Sequence, residues 1–177
     1  MADIKEITEL LSKLGVTPKK YSLYIEALTH PSYANDNHLP YNYERLEFLG
    51  DSVISLIVAN FLYNNFPNAK VGVLSKTRTM MVQSKAIVIV ANKINLKKYL
   101  NIGKSLANIT DYSKILEDTF EALIGAIYLD QGIYVAAKVI VDTICKEYKQ
   151  DHFKGNVDYK TEFQELIMKY GKGQILY

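Results

Sequence analysis

Apolar residues recur three and four positions apart along most of the chain, the spacing that places side chains on one face of an α-helix. No stretch keeps the alternation typical of a strand, so the pattern predicts an all-α protein. The longest predicted helix covers about 42–65, in the segment NYERLEFLGDSVISLIVANFLY, and a second apolar helix covers about 111–129. Both are apolar enough for us to expect them buried along much of their length.

Capping and helix-breaking residues predict the other elements. Asp3 is expected to cap a first helix that ends at Gly15, and Thr17-Pro18 to start a second helix with Pro at its first position. The Pro and Asn residues of 27–42 predict a loop. Further helices are expected between Gly72 and about 92, near 96–100, and from Gly132 to about Tyr148.

Composition and punctuation divide the 177 residues into one ordinary domain and a short addition. Residues 1–149 are expected to form the helical domain, and the segment QDHFKGNV, 150–157, a linker. Residues 158–177 are expected to begin a second unit, with a helix from Asp158 to Gly171 and a last stretch, GKGQILY, that could open a strand.

Acidic residues interrupt the two apolar helices at helical spacing. Glu44, Glu47 and Asp51 share one face of the first helix, and Asp118 and Glu121 lie three positions apart on the second. One interpretation is that each group is the solvated face of an amphipathic helix. The apolar remainder of both helices favours acids at the edge of a buried interface. Two carboxylates about 4 Å apart repel by roughly 4 kcal/mol at an effective dielectric of about 20, so converging acids need a cation.

The residue types around these acids indicate which cation would suit them. The three histidines, His30, His38 and His152, lie outside both acidic helices, so the Glu-x-x-His pattern of di-iron bundles is missing. All-oxygen ligation favours Mg²⁺ or Mn²⁺ over zinc or iron. Mg²⁺ on a few carboxylates is typical of phosphate chemistry.

Basic residues are segregated from the acids. The net charge is only +2, but the span 70–110 contains eight Lys and Arg residues and no Asp or Glu. This span is either a solvated Lys-rich surface or a surface that holds a phosphate backbone. An acidic metal site nearby favours the second interpretation. The candidate residues in it for contact with a phosphate backbone are Lys76, Arg78 and Lys85.

The remaining composition indicates a cytoplasmic protein. The lone cysteine, Cys145, cannot form an internal disulfide, fits a reducing compartment and is expected to be structural. The N-terminus MADIKEITELLSKLG lacks the pattern of a signal peptide. The apolar stretches around 53–62 and 86–91 are too short or too interrupted to cross a membrane, so no membrane partner is expected.

Three segments carry a resemblance to a known family. The segment ERLEFLGDSV, 44–53, resembles the signature motif of ribonuclease III, and ALTHPSYAND, 27–36, resembles the N-terminal loop of that family. The segment ILEDTFEALIGAIYLDQG, 115–132, is similar to its second acidic motif, and the likeness covers about 5–148. The segment DYKTEFQELIMKYGKG, 158–173, resembles the first helix of the α-β-β-β-α double-stranded-RNA-binding domain of bacterial members. Since only about twenty residues of that domain are present, this resemblance implies a truncated chain or an incomplete gene product.

The resemblance implies a Mg²⁺-dependent endonuclease for double-stranded RNA, with Mn²⁺ as a substitute. Glu47, Asp51, Asp118 and Glu121 would be the metal-binding catalytic set. The products would carry 5′-phosphate and 3′-hydroxyl ends with two-nucleotide 3′ overhangs, and no small-molecule cofactor is implied. Processing of ribosomal RNA precursors is the implied role, with messenger and transfer RNA as further substrates.

The resemblance also implies a homodimer. Phe48 matches an aromatic side chain that enters the partner subunit, although an ordinary core Phe would give the same pattern. Glu44 would support the metal set, either by orienting its neighbours or by pairing with Arg45 of the partner subunit. The residues that match RNA contacts in the C-terminal segment are Thr161, Gln164 and Glu165.

Two departures and two alternatives accompany this hypothesis. Val71 stands where many members have an accessory acid, and the loop at 104–114 lacks the usual pair of glycines. A non-catalytic RNA-binding relative is one alternative, but such proteins lose the acids that this chain keeps. An all-α nucleotide pyrophosphatase is the other, since it also gathers carboxylates on helices around Mg²⁺.

Overall fold

The computed structural model describes residues 3–106 and 108–149, and within these ranges the regular elements are helices. The all-α prediction is therefore confirmed for this part of the chain. The α-helices are α1 (Ile4–Lys13), α2 (Tyr21–Ala27), α3 (Pro31–Asp36), α4 (Glu44–Asn65), α5 (Val71–Val82), α6 (Ser84–Lys93), α7 (Ser113–Gln131), α8 (Ile133–Ile140) and α9 (Lys146–Lys149). The expected linker, 150–157, and second unit, 158–177 with Thr161, Gln164 and Glu165, lie outside the described residues.

Helix α1 begins and ends as the sequence predicts. The Asp3 side chain accepts a hydrogen bond from the Glu6 amide at 2.8 Å, and the Glu6 carboxylate accepts one from the Asp3 amide at 3.2 Å. This reciprocal capping box satisfies two backbone donors that a helix start leaves unpaired. At the other end Gly15 has φ of 68°, a conformation that glycine adopts without strain.

The prediction that the second helix starts at Thr17-Pro18 is wrong. Helix α2 begins at Tyr21 rather than at Pro18, because the amides of Lys19 and Lys20 both donate to the Asp130 carboxylate at 2.9 Å. These two hydrogen bonds to the C-terminal end of α7 keep Lys19 and Lys20 out of the helix.

The predicted loop over 27–42 contains the short helix α3. Pro31 occupies its first position, where the missing N–H costs nothing, and the His30 ring nitrogen Nδ1 accepts from the Ser32 amide at 3.0 Å. The prediction of an irregular loop, made from the Pro and Asn residues, is therefore wrong for this part of the segment, where a local cap stabilises a short helix.

Helices α4 and α7 form the centre of the fold, and two glycines let their backbones touch. A Cβ atom placed on Gly50 of α4 would lie 1.8 Å from the Glu121 carbonyl oxygen, and one on Gly125 of α7 would lie 2.3 Å from the Leu46 carbonyl oxygen. No larger residue fits such a crossing without moving a helix. The distance between the two acidic helices therefore depends on the absence of side chains at two positions.

The other helices surround this pair. Helices α2, α6 and α8 pack against α7, and α5 packs against α4. The sequence predicts one helix from Gly132 to about Tyr148. In the structure, α8 continues through a π-helical turn, Val141–Cys145, into α9, which ends near that position. Cys145 is buried in the core, as expected for a structural cysteine.

The apolar stretch around 53–62 was expected to be too short to cross a membrane, but the helix that contains it, α4, has within the described residues the length and hydropathy that a membrane-crossing helix would need. It also carries Glu44, Glu47 and Asp51 in its first turns and packs one face on α7. The central helix of a helical core has the same length and composition, so these properties follow from its place in the fold.

Candidate metal centre

Three carboxylates from the two central helices converge at one edge of the α4–α7 crossing. Glu47 comes from α4, and Asp118 and Glu121 come from α7; one oxygen of each lies within 4.8 Å of the others. Asp118 and Glu121 are only 8% exposed. Opposite oxygen ligands around Mg²⁺ stand about 4.2 Å apart, twice the usual metal–oxygen distance, so this donor set fits a hard divalent ion after a small movement.

Asp51 lies beside this cluster rather than inside it. Its side chain is exposed, one turn along α4 from Glu47. Burial raises the pKa of Glu121 to about 8, and the charge of Asp51 is the next largest cause, followed by that of Glu117. Asp51 therefore contributes negative charge at the exposed side of the three converging carboxylates.

The acids of the cluster disfavour one another's charged forms. The pKa of Glu47 is raised, first by burial and then by the charge of Asp118, while Lys114 lowers it. Glu44 and Glu117 raise it further. Several carboxylates close together and partly buried from water bind a cation more strongly than exposed carboxylates do.

Sequence reasoning missed Lys114 and Glu117, which stand at the mouth of the cluster. The Lys114 ammonium lies 2.7 Å from Asp118 Oδ1 and 3.5 Å from a Glu117 oxygen. Its hydrogen bond to Asp118 is the largest cause of a raised Lys114 pKa. The signal was in the sequence, because Lys114 precedes Asp118 by four positions and Glu117 precedes Glu121 by four.

Two aromatic residues line the inner side of the cluster. The Tyr43 hydroxyl lies 3.5 Å from Asp118 Oδ2, and the Tyr43 ring meets the His30 ring edge to face with centroids 5.4 Å apart. Burial lowers the pKa of His30 and raises that of Tyr43. Both groups are therefore neutral near pH 7, and the cluster gains no cation from them.

The supporting and interface residues of the sequence hypothesis lie on the exposed side of α4. Asn42 of the same chain donates to a Glu44 carboxylate oxygen at 2.9 Å and accepts from the Glu44 amide at 2.9 Å. This interaction holds Glu44 at the helix start. Arg45 is exposed, and Phe48 is 79% exposed rather than part of the core.

The candidate RNA-binding residues lie elsewhere on the surface. Lys76 and Arg78 are exposed on α5, and Lys85 is exposed in the first turn of α6. Arg78 also lines a groove between α4 and α5, together with Leu56 and Tyr63. The structure therefore brings three of the four proposed metal-set carboxylates together, places Asp51 beside them, and leaves the basic residues apart.

Comparison with known proteins decides the family. A family model described as ribonuclease-III-like matches residues 20–148. The chain belongs to the ribonuclease III family. It is 41% identical over 167 residues to "Ribonuclease 3" of Phytoplasma mali and 38% identical over 178 residues to "Ribonuclease 3" of Staphylococcus aureus; in both cases the match covers 73% of the relative. It is also 44% identical over 169 residues to "Ribonuclease 3" of Mycoplasmoides gallisepticum, but there it spans only 26% of the relative's length.

Solved structures of ribonuclease III nuclease domains have the same fold. One nuclease domain from Campylobacter jejuni matches with a TM-score of 0.75 and 36% identity, covering 85% of this chain and 99% of that one. Ribonuclease III enzymes are metal-dependent, and the described residues of this chain include an acidic cluster able to bind a metal ion. Family membership also removes the pyrophosphatase alternative.

Proposed function

We propose that this chain is a Mg²⁺-dependent endoribonuclease that hydrolyses phosphodiester bonds in double-stranded RNA. The observation that carries the proposal is the convergence of Glu47, Asp118 and Glu121 across the α4–α7 crossing in a member of the ribonuclease III family. The expected products have 5′-phosphate and 3′-hydroxyl ends and two-nucleotide 3′ overhangs. Ribosomal RNA precursors are the proposed main substrate, with structured messenger and transfer RNAs beside them, in the cytoplasm.

Each carboxylate has a proposed place in the reaction. Glu47, Asp118 and Glu121 hold the ion, and Asp51 faces the solvent side from which the phosphodiester approaches. When bound, Mg²⁺ or Mn²⁺ would supply activation of water and neutralise charge that develops on the phosphate. The raised pKa of Glu121, about 8, means that this residue must lose its proton before it serves as an anionic ligand near neutral pH.

A homodimer is the proposed assembly, formed through the exposed face of α4. Phe48, Leu56 and Tyr63 are large apolar side chains exposed on this face. A groove of about 380 Å³ between α4 and α5 lies beside Leu56 and Tyr63. Exposed apolar patches of this kind mark interaction sites. A second Campylobacter jejuni nuclease-domain structure, at 36% identity, concerns flexibility in a region involved in dimer formation in that protein.

The proposed RNA surface uses the exposed basic residues of α5 and α6. Lys76, Arg78 and Lys85 would contact phosphates and hold the duplex, without reading its sequence. Arg78 also borders the proposed dimer face, so it stands where RNA and partner subunit would meet. Val71, at the exposed start of α5, supplies no negative charge there.

The test is cleavage of a long RNA duplex by the full chain with Mg²⁺ present. Glu121→Gln should abolish cleavage and Mn²⁺ binding while the protein stays folded, because it removes a ligand charge and keeps the side-chain size. Asp142→Asn is the matched control, since Asp142 is an acid on the π-helical turn paired with Lys138 away from the cluster.

The results also separate the remaining alternative. A parent chain that binds duplex RNA but neither cleaves it nor binds Mn²⁺ would be a non-catalytic relative. A Glu121→Gln variant that cuts as fast as the parent would show that the metal set is wrong.

A further inference from the structure

Lys114 is a basic side chain placed directly against the acidic cluster. It lies in the first turn of α7, its side chain is 72% exposed, and its ammonium contacts Asp118 Oδ1 at 2.7 Å. Glu117 lies 3.5 Å from the same ammonium. The cation therefore binds a carboxylate that also belongs to the three converging oxygens.

Helix stability does not explain a lysine at this position. The N-terminal end of a helix carries partial positive charge, so a cation in the first turn is disfavoured. A lysine that precedes its acidic partner by four positions is also the weaker of the two orders. The pair Lys138–Asp142 has the same spacing and order, but Lys138 lies inside a helix that continues through the π-helical turn into α9, away from any positively charged helix start. What favours Lys114 is the acidic cluster itself.

The ion pair between Lys114 and Asp118 is of a kind that a bound metal ion can replace. Lys114 lowers the pKa of Glu47, which shows that its charge reaches the far helix of the cluster. Its exposed side chain is free to turn into water without disturbing the core. The Lys114 ammonium stands 2.7 Å from Asp118 Oδ1, and two cations at one oxygen repel each other, so a metal ion that uses this oxygen competes with the lysine.

We propose that Lys114 is a tethered competitor of the divalent ion, which pairs with Asp118 until the ion displaces it and so sets the metal concentration at which the site fills. This inference rests on the proposed metal set. Lys114 acts through Asp118 and is a positioning residue rather than a catalytic one. Exposed ion pairs are weak, so its effect on metal affinity should be about two- to five-fold.

Mn²⁺ binding to the full chain without RNA tests the proposal, measured from the electron paramagnetic resonance signal of free Mn²⁺. Lys114→Met should bind Mn²⁺ about two- to five-fold more tightly than the parent, because it keeps the stem and removes the charge. Lys114→Arg should restore the parental affinity. The control Lys138→Met removes an equally exposed lysine, 73% against 72%, from an equally spaced pair and should leave Mn²⁺ affinity unchanged.

Each other outcome overturns the proposal in a recognisable way. Unchanged or weaker Mn²⁺ binding by Lys114→Met, with parental binding that Glu121→Gln abolishes, would refute competition and leave the metal site standing. A parent chain that binds no Mn²⁺ would refute the metal site and the competitor together. An equal gain in Lys138→Met would show that the effect is one of overall charge.

Discussion

Replacing Gly50 by alanine tests whether the α4–α7 crossing determines both stability and metal binding. The new Cβ would stand 1.8 Å from the Glu121 carbonyl oxygen, whereas real Cβ contacts essentially never fall below 3.0 Å, so the helices must part by at least the difference, 1.2 Å. The Glu121 carbonyl oxygen belongs to the backbone and cannot rotate away. Overpacking of this kind costs about 1–3 kcal/mol, partly offset by about 1 kcal/mol from the better helix propensity of alanine.

The same movement should damage the metal centre more than the fold. Metal–oxygen distances tolerate deviations of about 0.2 Å, several times less than the required separation. Glu47 sits on one helix and Asp118 and Glu121 on the other, so the parting of the helices separates the ligands directly. Gly50→Ala should therefore lower the melting temperature by several degrees, at about 2–4 °C per kcal/mol, and lose most Mn²⁺ binding.

Gly72→Ala is the matched control. Gly72 also lies in a helix, α5, but a Cβ there meets nothing within 4 Å. This variant should be as stable as the parent or more stable by up to about 1 kcal/mol, with normal Mn²⁺ binding. Thermal unfolding and Mn²⁺ titration of the three proteins make the comparison. If Gly50→Ala melts and binds Mn²⁺ like Gly72→Ala, the close crossing does not hold the site.

Two further predictions concern the acidic cluster and the dimer face. The pKa of Glu121 is raised from 4.5 to about 8, so its protonated form stabilises the fold: this contribution is complete below about pH 4.5 and is lost as pH rises through 8. Metal-free unfolding free energy should fall over this range by at most about 4–5 kcal/mol, and the fall should shrink in Glu121→Gln; an unchanged slope in that variant would exclude Glu121 as its source. Phe48→Asp should weaken the proposed homodimer at least tenfold in analytical ultracentrifugation, since an exposed aromatic anchor is replaced by a charge. Tyr134→Ser, which changes an even more exposed aromatic on α8, should leave the dimer intact. Equal dimer dissociation in both variants would contradict a specific role for Phe48.

Helical spacing was sufficient to predict which carboxylates share a helix face, but not how closely the two helices that carry them pack. Glu47 and Asp51 share a face of α4, and Asp118 and Glu121 share a face of α7, because the spacing of a helix determines this locally. Which faces meet depends on contacts between residues about seventy positions apart, for which a single sequence contains no periodic signal. The Gly50–Gly125 crossing was therefore missed.

Errors elsewhere have equally specific causes. The start of α2 depends on hydrogen bonds from Lys19 and Lys20 to Asp130, which is remote in sequence. The short helix α3 was missed for the opposite reason, since its capping signals are local and were outweighed by the surrounding Pro and Asn residues. The pairing of Lys114 with Asp118 does have a local signal, their spacing of four positions on one helix, but the spacing of the acids alone does not reveal it.

The division of the cluster between α4 and α7 has a consequence for how the protein is made. During synthesis the chain grows past Glu47 long before Asp118 and Glu121 exist, and 71 positions separate Glu47 from Asp118. Closing so long a loop costs entropy that only the packed core repays. A nascent chain that stops short of α7 therefore holds one lone ligand and no ion-binding cluster. The cluster able to bind a metal ion therefore exists only in the finished core, and an ion bound there would stabilise the folded domain alone.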